Sequence, residues 1–308
     1  MTDRLRIATR KSALAMWQAR HVRDLLQREH AGLEVELVPI VTEGDRILDQ
    51  PLALIGGKGL FLKELERALL DGAADLAVHS MKDVPADMAP GLAVEVVLPR
   101  ANPFDAWLSQ GHVGLDELPP GSRVGTSSLR RQSLLLSARP DLEVADLRGN
   151  VDTRLRKLTD GQYDAIILAS AGLERLGLER HISQVLRPPD WLPAATQGII
   201  GLQHRADDPA TRRLLDPLND EQALVQARCE RAVTRRLQAT CQVPLAVYAE
   251  PEIGKLELHA MVGTPDGTRQ LVAHAAGPWS EAEALGEAVA EQLLRAGAGE
   301  IIAALLPH

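Results

Sequence analysis

The sequence predicts an α/β fold: two similarly built α/β lobes joined by a hinge, followed by a small C-terminal α+β domain. Three observations predict it. Strand-like and helix-like patterns alternate from the first residues onward. The order of those patterns then recurs: Arg6-Ile7-Ala8-Thr9 is answered by Arg123-Val124-Gly125-Thr126, Leu33-Glu34-Val35 by Leu142-Glu143-Val144, and Asp75-Leu76-Ala77-Val78 by Asp164-Ala165-Ile166-Ile167. Finally, Pro99, Asn102 and Pro103, and later Pro188, Pro189 and Pro193, punctuate the chain where one lobe hands over to the other. Two crossings imply a hinge with a cleft between facing sheet ends. The expected divisions are 1–98 with 199–216 for the first lobe, 104–192 for the second, and 221–308 for the C-terminal domain.

Each element has its own warrant. Residues 5–9 form a short apolar run of strand length. Leu14, Trp17, His21 and Leu25 then recur at helical spacing after Ser12. A second strand is expected over 35–41, an amphipathic helix over 58–70 and a third strand over 75–79. Residues 221–237 have a helical pattern. Residues 256–262 and 270–275 flank Pro265-Asp266-Gly267 as a hairpin, and helices are expected over 280–294, with Ser280 as N-cap, and over 300–306.

Composition narrows the function. The chain has 308 residues, 45% hydrophobic and 25% charged, as in ordinary globular proteins. A net charge of −8 argues against general binding to nucleic acid or an anionic membrane. There is no apolar run of about 18 residues, so no membrane span is expected. The start Met1-Thr2-Asp3-Arg4-Leu5-Arg6-Ile7 enters a strand directly, without the apolar stretch of a secretory leader; a cytoplasmic protein is expected. Cys229 and Cys241 are the only cysteines, too few for a disulfide framework or a cysteine-rich zinc site.

The arginines carry most of the functional information. Only six of the 34 basic residues are lysines, so a given arginine is ordinarily a solvated surface cation. Two blocks differ by position: Gly125-Thr126-Ser127-Ser128-Leu129-Arg130-Arg131 and Leu147-Arg148-Gly149-Asn150-Val151-Asp152-Thr153-Arg154. Each reads as the end of a strand opening onto a helix, where open α/β sheets bind ligands. Backbone N–H groups and the helix dipole favour anions there, and guanidinium forks match carboxylates bidentately. The expected ligand carries several acidic groups.

Other residues have both a bland and a functional reading. In His79-Ser80-Met81-Lys82-Asp83-Val84-Pro85, Asp83 follows the third strand; it is either a turn residue or a carboxylate facing a cation that forms during reaction. Lys82 is either solvated or an anion ligand. Cys241, in Leu237-Gln238-Ala239-Thr240-Cys241-Gln242-Val243-Pro244, is either a small buried side chain or a covalent anchor. Cys229, mid-helix, reads as core. Ile55-Gly56-Gly57-Lys58-Gly59 lacks the Ser or Thr that must follow the lysine of a Walker loop, so it reads as a flexible segment; Phe61 is core or a cover for a flat ring. No metal-ligand cluster or dinucleotide motif is present, so neither a metal nor a nucleotide is expected.

Together the motifs resemble the porphobilinogen deaminase family of tetrapyrrole biosynthesis. The matching text is Ile7-Ala8-Thr9-Arg10, Gly56-Gly57-Lys58-Gly59-Leu60-Phe61, His79-Ser80-Met81-Lys82-Asp83-Val84-Pro85, Gly125-Thr126-Ser127-Ser128-Leu129-Arg130-Arg131, Leu147-Arg148-Gly149-Asn150-Val151 and Cys241-Gln242-Val243-Pro244, in family order. The resemblance implies two lobes like those of periplasmic binding proteins, plus a small domain carrying a dipyrromethane cofactor on Cys241 through a thioether. It implies that four porphobilinogens are joined head to tail, each losing ammonia, and that water releases hydroxymethylbilane. By position it assigns Asp83 as the catalytic carboxylate, and Lys82, Ser128, Arg130, Arg131 and Arg154 with Cys241 to the cofactor. It assigns Arg10, Ser12, Phe61, Arg148, Arg154 and Arg175 to the substrate. Since each porphobilinogen carries an acetate and a propionate, the arginines have carboxylates to meet.

The chain departs from the family pattern at three places: Ala239-Thr240 stand where paired glycines are common, Thr196 begins a Gly-Gln-Gly position, and Glu43 stands where a basic residue is frequent. The alternative reading is a non-catalytic binding protein for a polycarboxylate solute. A monomer is expected, because covalent processing on one chain needs no partner.

Overall fold

The computed structural model describes residues 4–42, 62–240 and 242–305. The expected flexible segment around Lys58, together with Phe61, Glu43 and Cys241, lies outside the described residues. The chain divides into two compact units, residues 1–101 with 199–224 and residues 102–198 with 225–308.

In the first unit, β1 (Arg4–Arg10), β2 (Glu34–Ile40), β3 (Leu76–Ser80), β4 (Leu92–Val97) and β10 (Ile200–Arg205) form a sheet in the order β2-β1-β3-β10-β4. β1 pairs in parallel with β2 and β3, whereas β10 runs antiparallel to both β3 and β4. Helix α1 (Ala13–Glu29) packs on this sheet. Its fully buried apolar stripe is Ala19, Val22 and Leu26; Trp17 and Leu25 flank that core rather than fill it, so the face is rotated by about one residue from the expected one. Helix α2 (Lys63–Leu70) covers part of the sheet with Leu65 and Leu69.

The second unit repeats the plan. Here β5 (Asp105–Ser109), β6 (Arg123–Gly125), β7 (Glu143–Ala145), β8 (Ala165–Ala169) and β9 (Gln184–Leu186) are ordered β7-β6-β8-β5-β9. β6 is parallel to β7 and β8, and β5 is antiparallel to β8 and β9. β6, β7 and β8 therefore stand where β1, β2 and β3 stand in the first sheet, as the sequence repeat requires. Each mostly parallel sheet contains one reversed strand, β10 or β5, and both follow a proline-rich crossing. Helices α3 (Leu129–Ala138), α4 (Val151–Thr159) and α5 (Ser170–Arg175) follow β6, β7 and β8.

Two further helices lie in the later chain: α6 (Pro209–Leu215) and α7 (Glu221–Arg236). Beyond α7, β11 (Leu245–Glu252), β12 (Lys255–Gly263) and β13 (Gln270–Pro278) form an antiparallel sheet, with α8 (Ala282–Arg295) and α9 (Ala298–Leu305). The hairpin around Pro265-Asp266-Gly267 is present, joining β12 to β13. Ser280 does not cap α8. It sits inside a 3₁₀ turn, Trp279–Glu281, fixed by a bond from Trp279 Nε1 to Lys255 O at 2.8 Å, and the helix starts at Ala282.

The C-terminal sheet reaches the second lobe. Ala246, Tyr248 and Met261 join the cluster of Trp107, Val124, Leu134, Leu135 and Trp191. Gly267, at φ 71°, brings the hairpin tip against α3; a Cβ there would lie 2.7 Å from the carbonyl carbon of Leu136 and 2.8 Å from Ser133 O. The helix carrying Arg130 and Arg131 is thus fixed from the C-terminal side.

Candidate active site

In the first unit, parallel pairing aligns the carboxyl ends of β1 and β3, where ligand-binding turns are expected. Arg10 closes β1, and Ser12 caps α1 by accepting the Ala15 N–H at 3.3 Å. Ser80 closes β3 and accepts a 2.9 Å bond from Gln18 Nε2 of α1. The single 3₁₀ turn Met81–Asp83 follows. Met81 is its anchor: its side chain is buried, its N–H donates to Ile199 O at 3.0 Å, and a Cβ on Gly201 would overlap its thioether. Lys82 and Asp83 are left exposed on the anchored turn.

His79, on β3 just before this turn, is buried. Gln203 Nε2 donates to Glu66 Oε1 at 3.1 Å, so the Gln203 Oε1 accepts from His79 Nε2–H at 2.9 Å. Burial pushes the His79 imidazole down to about 4; the bond to Gln203 and the charge of Asp83 oppose the shift, and Arg10 adds to it. Asp83 and Arg10 are therefore both within electrostatic reach of His79, which stays neutral at pH 7.

The second unit holds the other predicted arginines. Ser127 Oγ donates to Leu147 O at 2.7 Å and accepts the Leu147 N–H at 3.2 Å, which staples the β6–α3 turn to the β7–α4 turn. Ser128 caps α3, accepting the Arg131 N–H at 3.4 Å. Arg130 and Arg131 are 5% and 7% exposed, far less than arginines ordinarily are. Asp105, at the start of β5 and fully buried, explains this. Arg131 Nη2 donates to its Oδ1 at 2.7 Å, and Arg130 Nη1 lies 2.8 Å from its Oδ2. Arg131 Nη1 also donates to Ile167 O, and Arg130 Nη1 to Leu192 O, each at 2.8 Å. Burial alone would raise the Asp105 carboxyl, but the two guanidiniums override it and hold it far below the usual carboxylate range.

On the adjoining turn, Gly149 adopts φ 111°, and a Cβ there would lie 2.8 Å from Thr153 Cγ2, so glycine is required. Arg154 Nε donates to Gly149 O at 2.7 Å, steadying the turn. Arg148 Nη1 is buried with no hydrogen-bond partner. Arg175 on α5 donates to Gly198 O at 2.7 Å, and burial pushes it down to about 10 against the charge of Glu174. Cys229 is buried in the C-terminal core, and its thiol is pushed up to about 12 by burial and by Glu230.

The structure therefore groups Arg10 with Asp83 in one unit, and Ser128, Arg130, Arg131, Arg148 and Arg154 on two stapled turns in the other. Sequence reasoning missed Asp105, Trp191 and Gln197. Trp191 Nε1 donates to Asp105 Oδ2 at 2.8 Å and Gln197 Nε2 to Asp105 Oδ1 at 2.9 Å. An acid ahead of an apolar strand, as in Phe104-Asp105-Ala106-Trp107-Leu108, ordinarily reads as a surface residue; no local signal marks it. Among the described residues, no group of three or more His, Cys, Asp or Glu side chains could hold a metal ion. No helix among them is long and apolar enough to cross a membrane.

Several solved structures are similar at low identity. The methionine-binding protein MetQ has 15% identity and a TM-score of 0.47, covering 75% of this chain and 96% of its own. The VFT2 domain of Bordetella pertussis BvgS has 20% identity and a TM-score of 0.40, covering 72% and 86%. The periplasmic aliphatic sulphonate-binding protein SsuA from Escherichia coli has 16% and 0.39, covering 77% and 76%. Two family descriptions match the sequence: "Porphobilinogen deaminase, dipyromethane cofactor binding domain" over residues 5–213, and "Porphobilinogen deaminase, C-terminal domain" over residues 224–295. With nearly its whole length matched by these two domains, the chain belongs to the porphobilinogen deaminase family.

Proposed function

We propose that this chain performs its family's reaction with Asp83 as the catalytic carboxylate and Cys241 as the attachment point of the cofactor. The reaction is that of a hydroxymethylbilane synthase, which joins four porphobilinogens head to tail with loss of ammonia in tetrapyrrole biosynthesis. The cofactor is dipyrromethane. A binding protein without catalysis is not favoured.

The residues fit a polycarboxylate group. The observation that carries the assignment is the surplus of buried positive charge: two guanidiniums share one carboxylate, and on the stapled neighbouring turn Arg148 Nη1 is buried without a partner. A buried, unsatisfied cationic donor is costly unless a ligand completes it. Lys82, Ser128, Arg130, Arg131 and Arg154, with Cys241, would hold the cofactor. Ser128 uses a lone pair on the Arg131 N–H and keeps its own O–H to donate. Arg10, Ser12, Phe61, Arg148, Arg154 and Arg175 would position porphobilinogen and the growing chain. When bound, the dipyrromethane supplies a tethered pyrrole to which units are added.

Asp83 stands on a turn that Met81 fixes from below. Its carboxylate would stabilise the cation formed as porphobilinogen loses ammonia and accept pyrrole N–H bonds. Tethering through Cys241 keeps each addition effectively intramolecular. Since all additions occur on one chain, a monomer suffices. We place it in the cytoplasm and divide it as two lobes (1–98 with 199–216, and 104–192) and a C-terminal domain (221–308).

The test is direct: purified protein is given porphobilinogen, and ammonia and hydroxymethylbilane are measured. One ammonia released per porphobilinogen consumed, with slow turnover by Asp83→Asn, supports the reading. Full turnover by Asp83→Asn returns Asp83 to a turn residue.

A further inference from the structure

Asp105 is contacted by the side chains of Arg130, Arg131, Trp191 and Gln197. Its Oδ1 accepts from Arg131 Nη2 at 2.7 Å, Arg131 Nε at 3.2 Å and Gln197 Nε2 at 2.9 Å. Its Oδ2 accepts from Trp191 Nε1 at 2.8 Å and faces Arg130 Nη1 at 2.8 Å. Five contacts occupy a group with about four lone-pair sites, so the carboxylate has no capacity left for a ligand. It is 0% exposed. Asp105 therefore cannot meet substrate and acts only through the groups it holds.

Those groups are of two kinds. Arg130 and Arg131 are consecutive residues on the first turn of α3, where unrestrained guanidiniums would repel each other. A single carboxylate between them fixes both at once and leaves one positive charge of the cluster unmatched. Trp191 and Gln197 belong to the second proline-rich crossing, and Gln197 Nε2 also donates to Pro103 O of the first crossing at 2.7 Å. One carboxylate thus connects the arginine pair to both crossing segments.

We propose that Asp105 is a positioning residue for anion binding: it presets the Arg130 and Arg131 guanidiniums to receive the carboxylates of the cofactor's pyrroles, and joins that setting to the crossing segments at Pro103 and Gln197. Removing its charge frees the guanidiniums to separate, and pyrrole carboxylates then meet a disordered pair. The effect is on affinity, while the chemistry at Asp83 on the other unit is untouched. The inference rests on the assignment of Arg130 and Arg131 to the cofactor.

The experiment follows covalent loading of apo protein, produced in cells unable to make porphobilinogen, by intact mass at a series of porphobilinogen concentrations. For Asp105→Asn the concentration giving half-maximal loading rate should rise about tenfold, the cost of a lost charge-assisted hydrogen bond, while the saturating rate stays near that of the parent. A purely structural carboxylate would lower the fraction of active chains and leave that concentration unmoved. Asp75→Asn, which breaks the Arg6–Asp75 pair in the other unit, controls for general destabilisation. Should Asp105→Asn be recovered unfolded, Asp105→Glu keeps the charge, displaces the guanidiniums by one methylene and should also raise the half-loading concentration. A half-loading concentration within twofold of the parent for the folded variant overturns the proposal. Failure of the parent itself to gain mass would instead overturn the anchor assignment.

Discussion

Thr196 holds a left-handed backbone, φ 60°, and donates its N–H to the buried carboxylate of Glu230 on α7. The same carboxylate accepts the Ala249 N–H at 2.8 Å, so one side chain ties the second crossing to β11. A β-branched residue is poorly suited to that conformation, at a cost of about 1–2 kcal/mol. Glycine is common at this family position, and the geometry explains why. Thr196→Gly should raise stability by up to about 1 kcal/mol, the relief exceeding the added chain entropy. Glu230→Ala should lower it by about 3 kcal/mol, because two buried N–H groups lose their acceptor. Thermal melts of the two variants check both; a Thr196→Gly protein less stable than the parent contradicts the strain.

Asp83→Asn preserves shape and removes charge. Because Met81, not Asp83, anchors the turn, the variant should fold and load its cofactor. Turnover should fall at least about 100-fold, as expected when one electrostatic partner of a developing charge is removed. Steady-state rates with porphobilinogen, alongside intact mass, separate lost chemistry from lost loading.

Arg148 offers a contrast between stability and activity. Its Nη1 is buried and unpartnered, so its replacement removes an unfavourable burial rather than a protein contact. Arg148→Leu should melt within about 0.5 kcal/mol of the parent. It should nevertheless load cofactor and stall in chain growth, with elongation slowed about tenfold or more for want of a charged hydrogen bond. Mass spectra after brief exposure to porphobilinogen would show loaded protein with few added pyrroles. Normal elongation would make Arg148 a surface residue.

The pH dependence follows from His79. Its folded value of about 4 lies below the ordinary 6.5, so the unfolded chain binds the extra proton between these limits. Stability is fully present above pH 6.5 and is lost as pH falls toward 4, by about 3 kcal/mol for a shift of this size. Asp75 and Asp105, whose carboxyls are held low, lose their contributions only below the ordinary carboxylate value. His79→Gln should flatten the melting temperature between pH 6.5 and 4. An unchanged slope would assign the loss to other groups.

The lobe repeat was legible because Arg6-Ile7-Ala8-Thr9 and Arg123-Val124-Gly125-Thr126 occupy equivalent central strands, and Ser12 and Ser128 cap helices at the matching turns. The reversed strands β10 and β5 were not legible, since residue alternation carries no strand direction. β11 escaped notice because its Pro251 and mixed burial obscure the strand pattern. Arg130 and Arg131 were found from their position at a strand-to-helix turn, but their partner Asp105 lies 26 residues before Arg131. Tertiary pairing alone brings them together, and no local pattern encodes it.

The central claim is that Cys241 carries a covalent dipyrromethane. Cys229 is an unsuitable competitor: it is fully buried, and its thiol is pushed up to about 12. The most direct measurement is the intact mass of the purified parent, Cys241→Ser and Cys229→Ser proteins. The parent and Cys229→Ser should exceed their sequence masses by one dipyrromethane, and Cys241→Ser should match its sequence mass. An identical excess on Cys241→Ser, or none on the parent, would contradict the account.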